Sequence, residues 1–235
     1  DPFYVGQVNG AYVGDNSTLG ITGPLDGFRY RFQLQKMFAD YNLHTTLVDY
    51  RKYFYNKPFS FGIRALHYAR YGPDAQELYP LYVGDNYYVR GYSYNSYDTQ
   101  GQSYNADYAS LDALAGSKMA VINAEVRVPL SGPERLTFIK SKYLFTTLVG
   151  FIDGGFATDN YNNLSFAWNP KKRSGQMSPI GGEDETIPNY PIYSTGLAVR
   201  INLFGYAVLE PYAAIPFQRK DKDITFGLFI RGSGW

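Results

Sequence analysis

The chain has 235 residues, including 24 Tyr, 16 Phe and 24 Gly, no Cys, and a formal net charge of +1. A charge so near zero offers no case for a nucleic-acid partner, and no run approaches the ~20 apolar residues of a membrane-spanning helix. Aromatics reach 18% while hydrophobic residues total only 45%, a composition suited to strands with one apolar and one wet face.

Period-two alternation predicts nine strands in chain order. The first covers about 3–14. In 28–35, Phe28, Tyr30, Phe32 and Leu34 share one face, and Arg29, Arg31, Gln33 and Gln35 the other. A third strand is expected over 43–55. In 60–71, Phe61, Ile63, Ala65, Ala69 and Tyr71 oppose Arg64 and Arg70. In 119–130, Ala120, Ile122, Ala124, Val126, Val128 and Leu130 oppose Asn123, Glu125 and Arg127. A strand over 143–157 follows. In 192–203, Tyr193, Leu197, Val199 and Ile201 oppose Ser194, Ala198, Arg200 and Asn202. The last two are 206–217 and 224–231, where Ile224, Phe226, Leu228 and Ile230 oppose Thr225, Gly227 and Arg231. At ~3.3 Å per residue and a ~45° tilt, ten residues span roughly 25 Å, the height of an outer-membrane apolar band.

The connections Asn56–Phe59 and Phe204–Gly205 are short, as periplasmic turns are. Those over 72–117 and 158–191 are long and rich in Gly, Asn, Ser, Tyr and Pro, as surface loops are. Residues 15–26 and 131–142 are intermediate, and Tyr108–Ala115 carries a short helical pattern. The fold expected is an antiparallel transmembrane β-barrel domain over 1–235. Barrels of this kind carry an even strand count and no open edge in lipid. Nine strands therefore predict further strands ahead of Asp1.

Three local patterns carry chemistry. Val89, Arg90, Gly91 and Tyr92 lie in the first long loop. Leu114 to Leu130 runs from a small-residue stretch into a strand with Asn123, Glu125 and Pro129. Phe151, Asp153 and Gly155 follow on the next strand. In this order the three resemble the barrel of the BamA/TamA-type assembly and translocation proteins (bacterial surface antigen barrels). Those carry a Val-Arg-Gly-aromatic motif in a surface loop that runs back into the lumen. The final stretch, with Phe226, Leu228, Ile230, Gly232, Gly234 and Trp235, is similar to that family's aromatic-ended last strand.

The resemblance covers nearly the whole chain and implies the last nine of sixteen strands. It implies a bacterial outer-membrane location, no cofactor, and partners among outer-membrane lipid, lipopolysaccharide, client proteins and accessory lipoproteins. It also implies a seam beside the last strand through which clients enter the membrane, and the three glycine and serine positions after Arg231 suggest a weakly pairing tail. The function expected is insertion or export of outer-membrane or surface proteins. One alternative is a barrel that anchors an N-terminal propeller or esterase domain. Another is a passive pore or transporter, against which the loop motif argues.

The residues themselves supply a physical reading of the motif. An Arg in a partly dry lumen needs acidic partners, because an unpaired buried charge is costly. Parity puts Glu125 on the polar face of its strand, and Asp153 on a neighbouring strand is the second candidate. Gly91 permits a close backbone turn, and Tyr92 is expected against the lumen wall. Against these, His67 shares an outward face with Ala65 and Ala69, and His44 sits at a strand end. No Ser-His-Asp arrangement stands out, so no enzyme activity is expected. Glu183, Asp184 and Glu185 lack the ligand spacing of a calcium loop, and Lys171, Lys172 and Arg173 read as a solvated run.

Overall fold

The computed structural model describes residues 4–93, 114–164, 166, 189–219 and 223–232. In chain order the strands are β1 (Val5–Asp15), β2 (Thr18–Leu19), β3 (Pro24–Ala39), β4 (Leu43–Asn56), β5 (Phe59–Tyr71), β6 (Leu81–Tyr82) and β7 (Ala115–Gly116). They continue with β8 (Lys118–Gly132), β9 (Ile139–Lys140), β10 (Phe145–Thr158), β11 (Ile192–Leu203), β12 (Ala207–Pro216) and β13 (Thr225–Gly232). A 3-10 turn spans Tyr161–Asn163, and no helix among the described residues is long and apolar enough to cross a membrane.

The main sheet has eleven strands, and its long members follow the order β1-β3-β4-β5-β8-β10-β11-β12-β13. Each long strand pairs antiparallel with the next one in the chain. This meander follows from alternation interrupted by turn residues, since neighbouring strands joined by short links pair antiparallel. β3 runs sixteen residues, twice the alternating core at 28–35. It begins at Pro24, which tolerates a strand's first position, and it continues through Lys36 and Phe38 in the same parity. Ala115, the end of the expected helical pattern, belongs to β7; residues 108–113 lie outside the described part. Gly232 pairs with Ala207 of β12, so the expected weak pairing does not begin there.

The two faces of the sheet differ in kind. Phe32, Leu34, Phe61, Ile63, Ile122, Ile152, Leu197, Phe226, Leu228 and Ile230 are all exposed on one face. On the opposite face the buried residues form two apolar clusters. The first joins Leu66, Met119, Val121, Ala157 and Ile192 of the strands to Leu81, Val83, Val89, Tyr92 and Leu114 of the long connection. The second contains Val149, Phe151, Ala198, Tyr212 and Ala214, with Phe229 packed against it.

Charge obeys the same division. On the long strands, Arg29, Arg31, Arg51, Arg64, Arg70, Arg127, Arg200 and Arg231 have inner-face parity, whereas Lys36, Lys52 and Lys118 have outer-face parity. Arg suits a crowded polar interior because its planar fork is preorganised for several acceptors, while Lys reaches outward along an apolar surface toward water. Lys52 lies over Phe28 and Phe54 at 5.7 and 5.2 Å, a cation on an aromatic rim.

The inner face is concave. A flat sheet would hold β8 and β12 about 14 Å apart, at ~4.8 Å per strand spacing. Yet a single guanidinium nitrogen of Arg90 reaches Glu125 of β8 at 2.9 Å and Glu210 of β12 at 3.2 Å. At the other end of the sheet, the 16–23 connection crosses this face. Thr22 donates to Thr147 of β10 at 2.8 Å, and the Ile21 carbonyl accepts from Asn202 of β11 at 2.6 Å.

Candidate functional site: an arginine-pinned loop on the inner face

The loop motif sits at the centre of the concavity. Asp85 starts a tight turn whose carbonyl accepts from the amides of Tyr88 and Val89, each at 2.9 Å. Gly91 follows with φ +90°, and a Cβ there would lie 3.0 Å from the Ala214 Cβ of β12. The position therefore needs both the left-handed backbone and the missing side chain. Val89 and Tyr92 are fully buried on either side of it. The same closeness occurs at Gly155 of β10, where a Cβ would meet Val83 at 2.7 Å; that glycine lets the loop lie against the strand.

Arg90 is 4% exposed. Its Nε donates to Oδ2 of Asp153 at 2.7 Å and its Nη2 to Oδ1 at 2.8 Å, a two-bond fork. Its Nη1 donates to Glu125 and Glu210, and its guanidinium stacks 3.6 Å above the Phe151 ring. Burial alone would lower the Arg90 pKa, but the Asp153 hydrogen bond and the surrounding carboxylates outweigh it and raise it. The residue is therefore a permanent cation.

The carboxylates are held in turn. Asn123 donates from one amide nitrogen to Asp153 Oδ1 at 2.9 Å and to the Tyr88 carbonyl at 2.8 Å, tying strand acid to loop backbone. Arg200 donates to Glu210 at 2.7 Å and to both Glu125 oxygens at 2.9 and 3.0 Å. Arg127 donates to Glu125 at 2.8 Å and to the Pro24 carbonyl at 2.8 Å. Glu125, Asp153 and Glu210 thus face Arg90, Arg127 and Arg200 in one largely buried network, which Arg231 joins at its edge, 3.4 Å from Glu210.

Tyr92 anchors the next step of the loop. Its hydroxyl donates toward the Tyr193 carbonyl at 3.0 Å or Gln218 Oε1 at 3.1 Å, and accepts from the Gln218 amide at 3.0 Å. Burial pushes its pKa above the ordinary tyrosine value. Arg219 donates to the Gly91 carbonyl at 3.0 Å.

The structure thus brings Arg90 together with Glu125 and Asp153, on the face that parity assigned to both acids. Sequence reasoning missed Glu210, Arg200 and Arg127 as members of the same network. Their signal was present, since Arg200 and Arg127 sit on the alternating polar faces. Glu210 has the parity of Val208 and Tyr212, but its strand alternates weakly. Phe226, Leu228 and Ile230 project from β13 at one end of the strand order and are exposed. Gly234 and Trp235 lie outside the described residues, as do Glu183–Glu185 and Lys171–Arg173. His67 lies on the outer face and its Nε2 is 2.9 Å from the Tyr161 hydroxyl, far in kind from a catalytic arrangement. Among the described residues, no group of His, Cys, Asp and Glu is arranged to hold a metal ion.

An apolar outer face, an arginine-lined inner face and a loop pinned against that inner face are the features of an outer-membrane β protein. The Omp85 superfamily domain matches residues 19–231, and the chain belongs to that superfamily; its place is the outer membrane. Among solved structures, CdiB from Acinetobacter baumannii is similar, with a TM-score of 0.52 and 14% sequence identity over 96% of this chain. That likeness concerns the fold, and the chain spans 32% of the CdiB chain's length. No curated protein matches the sequence.

Proposed function

We propose that the chain is part of a closed outer-membrane barrel that moves polypeptide through its lumen, with the segment around Arg90 as the element that occupies and regulates the passage. The observation that carries this reading is Arg90, held by three carboxylates from β8, β10 and β12. A passive pore has no use for a loop so fastened. Superfamily membership supports a transport role at the outer membrane. Client polypeptides, accessory lipoproteins and lipopolysaccharide are the partners this reading implies.

The test is single-channel conductance of the full-length protein in planar bilayers beside client export in cells. Arg90→Ala should convert a mostly closed channel into one with frequent large openings and should impair export. Unchanged conductance and unchanged export would sink the proposal.

A second reading, insertion of clients through a lateral seam as in BamA/TamA-type proteins, draws on one observation. β13 ends the strand order and shows Phe226, Leu228 and Ile230 on its outer face. Site-specific crosslinking separates the two. Client crosslinks from inner-face Arg231 favour passage through the lumen, and crosslinks from outer-face Leu228 favour the seam.

A further inference from the structure

Beside the pinned loop lies a cavity of about 90 Å³ whose lining includes Arg51, Arg64, Arg127 and Arg231 together with Arg90 and Arg200. At ~10–15 Å³ per water position, it has room for several waters or one small polyatomic ion. The charges around it do not balance. Among the described residues, the carboxylates bound to these six arginines are Asp49, Glu125, Asp153 and Glu210. Arg51 and Arg64 stand directly opposite each other in the β4–β5 register, an unfavourable pairing of like charges. Both spend themselves on one carboxylate, Asp49, at 2.8 and 3.0 Å. Arg231 meets only the far side of Glu210, at 3.4 Å, an oxygen that Arg200 already holds at 2.7 Å.

We propose that this cavity is an oxyanion site, taking a phosphate-like ion or the carboxylate of a polypeptide side chain. Excess guanidinium charge in a partly desolvated cavity favours an anion strongly, and forked donors suit an anion with two or three oxygens. The ring faces of Tyr53 beneath Arg127 and of Tyr87 beneath Arg64, at 5.3 and 5.4 Å, hold the two cations in place from behind. The site needs the Arg90 loop docked, since Tyr87 and Arg90 line it, but it does not depend on the loop's role in transport.

The experiment uses the full-length protein in detergent. Thermal midpoints are compared in phosphate and in chloride at equal ionic strength, and crystals grown in selenate are examined for anomalous scattering. We expect phosphate to raise the midpoint by several degrees over chloride and selenate to appear in the cavity. Arg64→Gln should abolish the phosphate effect. Arg31→Gln, on the same face but outside the cavity and bonded to Gln33, should keep it. If a hexaglutamate peptide displaces selenate, the natural occupant is a polypeptide carboxylate; if it does not, the site serves a free anion. A phosphate effect that persists in Arg64→Gln, or a cavity empty of selenate, overturns the proposal.

Discussion

Arg90 and Asp153 meet through two parallel side-chain hydrogen bonds at 2.7 and 2.8 Å, and the Arg90 amide adds a third to the same carboxylate at 3.2 Å. Side chain and backbone of one loop residue therefore close on one strand residue that is itself 0% exposed. Removing Arg90 would leave Asp153 without its cation, whereas Arg90 would still meet Glu125 and Glu210.

Replacing Arg90 by Ala should destabilise the loop's docked state by about 3–5 kcal/mol, the cost of leaving buried Asp153 without its cation. Arg90→Lys should recover little, because an ammonium cannot make the fork to Asp153 while also reaching Glu125. Limited proteolysis at Tyr82–Tyr92 measures this: both variants should be cut there faster than the wild type.

Gly91→Ala should loosen the same loop by a different route. At φ +90° an alanine carries backbone strain of about 1–2 kcal/mol, and its Cβ would press on Ala214 at 3.0 Å. Hydrogen exchange should quicken at the Gly91 and Tyr92 amides while the β8–β10 ladder keeps its protection. Equal loss in both places would indicate general unfolding instead.

Arg127 links the network to the opposite end of the sheet through the Pro24 carbonyl. Arg127→Gln should therefore release the 21–25 segment, raising its exchange rate several-fold. The segment also holds through Thr22 to Thr147 and Ile21 to Asn202, so it should loosen without detaching.

Ile152 lies in the middle of β10 and is 63% exposed on the outer face. If that face meets lipid, Ile152→Arg should weaken folding into bilayers by about 2–4 kcal/mol. Gln35→Arg, on the inner face of β3, should change it by less than ~1 kcal/mol. Equal effects at the two positions would show that the faces had been assigned wrongly.

The strands were legible because alternation is a local property. Successive side chains point to opposite faces, so Phe28 to Gln35 and Tyr193 to Asn202 reveal their facing whatever the rest of the chain does. The ends were less legible. β3 reaches back to Pro24, where proline and glycine resemble turn residues, and forward to Ala39, where Lys36 interrupts the apolar face. Its outer-face place beside His44 emerges only from the register.

Sequence alone determined which residues share a face, hence that Glu125 and Asp153 were available to a loop arginine. It also determined that Arg29, Arg31, Arg64, Arg70, Arg127, Arg200 and Arg231 lie on the polar faces of their strands, since parity settles each within its own strand. Only the tertiary structure decided that Glu210, Arg200 and Arg127 join Arg90, and that residues 21–25 reach the same network from the far end. The reason is curvature. Strands up to three positions apart in the sheet bring their side chains within 3.2 Å of one guanidinium nitrogen, a convergence that depends on register and coiling summed over several strands and is encoded in no single one.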